Sequence, residues 1–268
     1  MKKAIGLILV FVGFLSFVPN GYGQDITTNI LQRVFLFKYG DKVGTSFTID
    51  VQNRQYIITA KHIVDGIKNG ESIEILHNNH WEKIVVKPLY IKPDIVDMIV
   101  LVPEMQVTPA HPIEPTTGGL ILAQQIYFLG FPYSLHMDGN TLNNGLPLPF
   151  VKSGILSAMV SPTKEYQIIY IDGINNPGFS GGPIVFVDHQ TRKLKVAGVV
   201  KGYKNTDDQE NNVYRKIPKE NGLSEDDYEL VKTDMIAKTN SGLVIGFSIQ
   251  SAVDAINKNP IGPVVKGN

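Results

Sequence analysis

Prolines at positions 103, 109, 112 and 115 crowd one stretch of this 268-residue chain and divide it into two sets of short apolar runs. Proline lacks a backbone donor and fixes φ, so the stretch reads as a connection and not as a strand. Before it lie Val34–Phe37, Ser46–Val51, Gln55–Thr59, Ser72–Leu76, Trp81–Lys87 and Met98–Val102, all of strand composition and separated by turn signals such as Asn69-Gly70 and Asn78-Asn79. After it lie Ile121–Leu129, Phe150–Met159, Gln167–Ile171, Pro183–Val187, Lys193–Val200 and Leu243–Ile249. Each set has enough strands for one small closed barrel. The expectation is therefore an all-β fold of two six-stranded antiparallel β-barrels, at 24–102 and 121–268, joined by a Pro-rich linker over 103–120. Ser251 is positioned to cap a short C-terminal helix running to Lys258. Trp81 is expected to pack within the first barrel.

One segment, 203–241, is polar and charged and fits no barrel strand. Ser224-Glu225-Asp226-Asp227 resembles a capping box with acids in the first turn, which predicts a helix over Tyr228–Lys238. The insertion is either a surface decoration or a lid beside the cleft.

Gly178-Phe179-Ser180-Gly181-Gly182-Pro183 carries the chemistry. It sets a serine nucleophile in a glycine cradle. Gly178 can take backbone angles closed to other residues, and the amides of Gly178 and Ser180 could converge as an oxyanion hole. Gly181 and Gly182 carry no side chains to obstruct a substrate. A serine nucleophile needs a base and an acid to orient that base. His62 follows the apolar run Tyr56-Ile57-Ile58, and Asp97 heads Met98–Val102. Asp94 competes for the acid's role, but it follows Pro93 and reads as solvated. His77 and His80 frame a hairpin tip with no acidic or sulfur partner in register, so no metal site is expected.

The order His, Asp, Ser in these contexts resembles the chymotrypsin-like (trypsin-fold) serine peptidases, and most of all a stand-alone HtrA/Deg-type peptidase domain. Gly44-Thr45-Ser46-Phe47 is similar to that family's GTGF strand, and Thr59-Ala60-Lys61-His62 to its histidine block. Asp97–Leu101, Phe128–Pro132, Ser153–Ala158 and Gly246–Ser251 resemble its further segments. The resemblance implies a serine endopeptidase without cofactors, with His62, Asp97 and Ser180 as catalytic residues and Gly178 and Ser180 as the oxyanion hole. An esterase with the same triad and a non-catalytic binding protein on the same barrels are the alternatives. The resemblance also places Ile174, six positions before Ser180, at the base of the substrate pocket. Val199 and Val200 would add apolar wall, which points to cleavage after a small or medium apolar residue. Lys201 could instead meet a glutamate. Phe179 stands where trypsin-type enzymes carry an aspartate that pairs with a freed N-terminus, so zymogen activation of that kind is not expected. With Asn268 as the last residue, the PDZ domain usual in HtrA relatives is not expected.

Lys2 and Lys3, the apolar stretch 4–18 and Gly21-Tyr22-Gly23 have the form of a signal peptide over 1–23, cut before Gln24. Export to the periplasm or medium of a bacterium follows. The alternative is an uncleaved N-terminal membrane anchor, for which the apolar stretch is short. Cysteine is absent, so neither lipid anchoring through a cysteine nor disulfides enter. Without Lys2 and Lys3 the 25 basic residues fall to 23 against 25 acidic ones, a net charge of about −2. That balance gives no attraction to nucleic acid or an anionic membrane. The expected partner is a protein or peptide substrate.

Overall fold

The computed structural model describes residues 26–205, 211–218, 228–237 and 240–267. The expected signal peptide and the Ser224–Asp227 helix start lie outside the described residues. After a helical turn, α1 (Thr28–Leu31), come β1 (Val34–Tyr39), β2 (Lys42–Val51), β3 (Arg54–Thr59), β4 (Ser72–His77), β5 (His80–Tyr90) and β6 (Ile99–Pro103). They close into a barrel in the order β1-β2-β3-β6-β5-β4. A short strand, β7 (Glu114–Pro115), lies in the proline-rich stretch. Beyond it run β8 (Gln125–Gly130), β9 (Phe150–Val160), β10 (Ile168–Asp172), β11 (Pro183–Val187) and β12 (Leu194–Asn205), then a hairpin of β13 (Asn211–Pro218) and β14 (Tyr228–Ala237), then β15 (Asn240–Ser248). The order β11-β8-β9-β10-β15-β12, with β11 also paired to β12, closes the second six-stranded barrel. The chain thus has the chymotrypsin-like fold of two antiparallel barrels.

Side-chain alternation explains why the strands are apolar on both faces. In β1, Phe35 and Phe37 join the cluster inside the first barrel with Ile57, Ile75 and Leu101. Val34 and Leu36 point the other way, into a cluster shared with Leu129, Val185 and Phe247 of the second barrel. A third cluster, with Phe128, Ile171, Phe179 and Ile184, fills the second barrel. Strands buried on both sides lose the polar half of a period-2 pattern and read as unbroken apolar runs. Each such side chain contributes about 1.5–3 kcal/mol on burial. The inter-barrel cluster fixes the two halves against each other, with His62 and Asp97 carried by the first barrel and Ser180 by the second.

Several expectations need correction. The proline-rich stretch is not free of strand, since Glu114 and Pro115 pair in parallel with Lys195 and Val196 at the sheet edge, where proline's missing donor is harmless. Tyr228–Ala237 is strand, paired with Asn211–Pro218, and not helix. The terminal helix α2 (Gln250–Lys258) forms, but Ser251 lies inside it and is buried; the Ser248 hydroxyl accepts the Gln250 amide at 3.2 Å. Trp81 is 38% exposed, with the Lys38 ammonium 4.6 Å from its ring.

Candidate active site

His62 sits on a 3₁₀ turn, Lys61–Val64, which begins two residues after β3 ends at Thr59. Asp97 lies two residues before β6, the neighbour of β3 in the barrel. That adjacency brings the imidazole and carboxylate together across 35 positions. His62 Nδ1 is 2.6 Å from Asp97 Oδ2, and the His62 amide donates to Asp97 Oδ1 at 2.9 Å. The aspartate therefore fixes both the ring and the backbone of the histidine. Burial pushes the Asp97 carboxyl up, but the hydrogen bonds and charge of His62, with the nearby Lys201 ammonium, outweigh it and hold the carboxyl below its usual range. Asp94 is exposed and pairs with Lys92 at 2.7 Å.

Ser180 comes from the loop between β10 and β11 in the second barrel. Its hydroxyl donates to the Lys201 carbonyl at 3.0 Å, so the structure turns it onto β12 and not onto the imidazole. Lys201 in turn lines, with His62, Asp97, Gly202, Tyr203 and Ile245, the depression beside the histidine. His62 and Asp97 thus share one depression with Lys201, and Ser180 is tied to that depression through the Lys201 carbonyl, without a hydroxyl–imidazole hydrogen bond. A serine hydroxyl changes partner by rotation about one bond between staggered positions.

The nucleophile loop is set by contacts that pattern reading did not find. Gly178 has φ +104°, and a Cβ there would fall 2.2 Å from the Phe131 carbonyl. The Tyr133 amide donates to the Pro177 carbonyl at 2.9 Å. Because a trans peptide points its C=O and N–H in opposite directions, this bond turns the Gly178 amide away from Tyr133. Among the described residues no protein acceptor takes the Gly178 or Ser180 amide. Tyr133 and Ser134 hold left-handed angles, φ 52° and 62°, a cost that places the 131–135 segment against the nucleophile loop. Gly181 serves packing and not substrate access: a Cβ there would lie 2.1 Å from the Thr45 carbonyl.

Thr45 of β2 reaches across the cleft. Its hydroxyl donates to the Gly178 carbonyl at 2.6 Å and accepts the Phe131 amide at 3.2 Å, while its own amide donates to the Ser180 carbonyl at 3.1 Å. The proposed pocket residues divide. Ile174 is 63% exposed and able to meet a ligand. Val199 and Val200 are fully buried on opposite faces of β12, one in the inter-barrel cluster and the other inside the second barrel, so neither forms an open wall. Lys201 faces the depression, with Nζ 5.9 Å from the Phe247 ring.

The family model for the trypsin-like peptidase domain matches residues 44–193. No curated protein matches the chain. The Rv3671c protease of M. tuberculosis in its inactive form is similar in structure at 14% identity and TM-score 0.51, over 86% of this chain and 90% of that one. The HtrA-type protease AlgW, solved with a tripeptide, is similar at 14% identity and TM-score 0.53, over 85% of this chain and 60% of its own. At that identity these likenesses bear on the fold.

Proposed function

Since the chain belongs to the trypsin-like peptidase domain family, we propose that it is an exported serine endopeptidase. The observation that carries this reading is the doubly bonded His62–Asp97 pair, with the Ser180 hydroxyl held on Lys201, which lines the same depression as that pair. Ser180 Oγ leaves the Lys201 carbonyl, gives its proton to His62 and bonds to the substrate's carbonyl carbon. The oxygen that gains the charge is held by the Gly178 and Ser180 amides. His62 passes the proton to the leaving amine, the C–N bond breaks, and an acyl-enzyme remains on Ser180. Water, activated by the same imidazole, then releases the acid. Asp97 holds the ring in the tautomer that leaves Nε2 free to accept. No cofactor takes part.

The exposed Ile174 supports an apolar side chain before the cut, and burying an unpaired cation against it would be costly. The Lys201 ammonium on the depression beside His62 favours a second reading, a preference for glutamate. Profiling of a peptide library separates the two, and dominant cleavage after lysine or arginine would exclude both. The basic and apolar start of the chain supports export. Among the described residues no helix is long and apolar enough to cross a membrane.

The decisive experiment treats protein lacking residues 1–23 with a fluorophosphonate probe and assays peptide and ester substrates in parallel. An adduct on Ser180 with peptide hydrolysis is expected. Turnover of esters alone would make the protein an esterase. No adduct and no turnover would leave a binding protein on this fold.

A further inference from the structure

Lys152 stands at an inward position of β9. It pairs with Phe128 of β8, and antiparallel partners share a face, so its stem runs over the same side as the fully buried Phe128. A lysine there needs acceptors. It finds them on the segment just before the nucleophile: Nζ donates to the Ile174 carbonyl at 2.8 Å and to Asn176 Oδ1. The ammonium also lies 5.5 Å from the ring of Phe179, which packs edge-on to Phe128 with centroids 5.3 Å apart.

Asn176 carries the contact forward. Its carbonyl accepts the Phe179 amide at 3.3 Å, closing the turn that contains Pro177 and Gly178. Its Nδ2 donates to the Tyr133 hydroxyl at 3.4 Å, and the Tyr133 amide holds the Pro177 carbonyl. One ammonium thus grips both ends of the 174–176 segment and, through Asn176 and Tyr133, the Pro177–Gly178 peptide.

We propose that Lys152 is the positioning residue of this enzyme: an internal cation that clamps the 174–179 loop and orients the Gly178 amide for the transition state, so that no freed N-terminus is needed. The proposal rests on the peptidase reading given above. It departs from simple stabilisation, because Lys152 touches neither substrate nor the reacting atoms, yet its loss falls on the step in which the oxyanion forms.

The test uses mature protein with Lys152→Met, Lys152→Arg, Asn176→Leu and the Met/Leu double variant. The readouts are kcat, KM and the affinity of a peptide boronic acid, which binds serine as a tetrahedral anion. Misplacing a catalytic donor by about 1 Å costs on the order of 10²-fold, so Lys152→Met should lower kcat by roughly 10- to 100-fold with KM little changed. Boronate affinity should fall by the same factor. Lys152→Arg keeps charge and donors and should recover most of the rate. Asn176→Leu should reproduce the defect, and the double variant should be no worse than either single one, as expected for one coupled unit. Burial lowers the Lys152 pKa, so the alkaline limb of kcat should move to higher pH in Lys152→Arg.

Wild-type boronate affinity and kcat in Lys152→Met would overturn the clamp, as would additive effects in the double variant or a defect confined to KM. If Lys152→Met does not fold, Asn176→Leu decides: a wild-type rate there overturns the proposal. Wild-type protein that takes no fluorophosphonate label would overturn the peptidase reading and the clamp together. A labelled wild type with an indifferent Lys152→Met would overturn the clamp alone.

Discussion

The Thr45 hydroxyl and the Gly178 carbonyl, 2.6 Å apart, join the first barrel to the nucleophile loop of the second. Both partners of that hydroxyl, the Gly178 carbonyl and the Phe131 amide, belong to the second barrel, and Thr45 itself is fully buried. Thr45→Val keeps the shape and leaves two polar groups without their partner. A buried group left unsatisfied costs about 1–3 kcal/mol. The variant should unfold at lower urea concentration and lose kcat through a displaced Gly178, while Thr45→Ser should retain most of both. A Thr45→Val protein as stable and active as wild type would show that the link contributes nothing.

Asp97 and Asp94 give a matched pair of substitutions. Asp97 holds His62 through two hydrogen bonds, whereas Asp94 is exposed and meets Lys92. Asp97→Asn disturbs the tautomer that presents Nε2, and a loss of about 10⁴-fold in kcat is expected. Asp94→Asn should leave kcat near wild type. Steady-state kinetics on one peptide substrate compares them, and the reverse ranking would move the acid to Asp94.

What was legible in the sequence was whatever depends on near neighbours. Apolar runs such as Val34–Phe37 and Pro183–Val187 marked strands because burial on either face requires it, and proline crowding marked the connection. The order of His62, Asp97 and Ser180 pointed to a candidate site, of which the structure joins His62 and Asp97 directly. Long-range pairing was not legible. Thr45 and Gly178 lie 133 positions apart. The Tyr228–Ala237 strand follows an acidic, cap-like lead-in that suggests helix, although Val231, Thr233 and Ile236 favour strand once a partner at 211–218 exists. The substrate wall failed for a related reason: alternation sends Val199 and Val200 to opposite faces, and both faces of β12 are core. A faint signal did mark Lys152, a charge in register with Gly154 and Leu156 on the inward side of β9.

Ser46 offers a test of the core. Its hydroxyl is buried in β2 and has no hydrogen-bond partner among the described residues. A polar group buried without a partner costs roughly 1–3 kcal/mol in proteins. Ser46→Ala removes that cost with little loss of volume, so it should stabilise the fold by about 1 kcal/mol and raise Tm by roughly 2–4 °C for a chain of this size. Calorimetry on the two proteins measures the shift. A lower Tm would mean that the hydroxyl is satisfied, by water or by a neighbour.

His77 predicts how stability depends on pH. The sequence reads it at a hairpin tip without an acidic partner, but Nδ1 lies 2.8 Å from Glu82 Oε1 and Nε2 lies 2.9 Å from the Asn144 carbonyl. The contact ties the β4–β5 hairpin of the first barrel to the segment before β9 in the second. Glu82 and the Asn144 carbonyl are acceptors, and only the imidazolium can donate to both, whereas the Asn78 side-chain amide nitrogen, 3.4 Å from Nε2, suits the neutral ring. The Glu82 carboxylate, against the opposing effect of burial and with help from the Asn144 carbonyl, holds the imidazole pKa above its usual 6.5. A raised native pKa means that the protonated form is favoured by folding. The stabilisation is therefore complete below pH 6.5 and disappears as pH rises through the higher native value. The pair is partly exposed, so its worth is at most about 1 kcal/mol. Urea unfolding of wild type and His77→Gln should show a wild-type advantage near about pH 5.5 that has gone by about pH 9. An advantage that stays constant or grows across that range would mean that His77 remains neutral in the native protein.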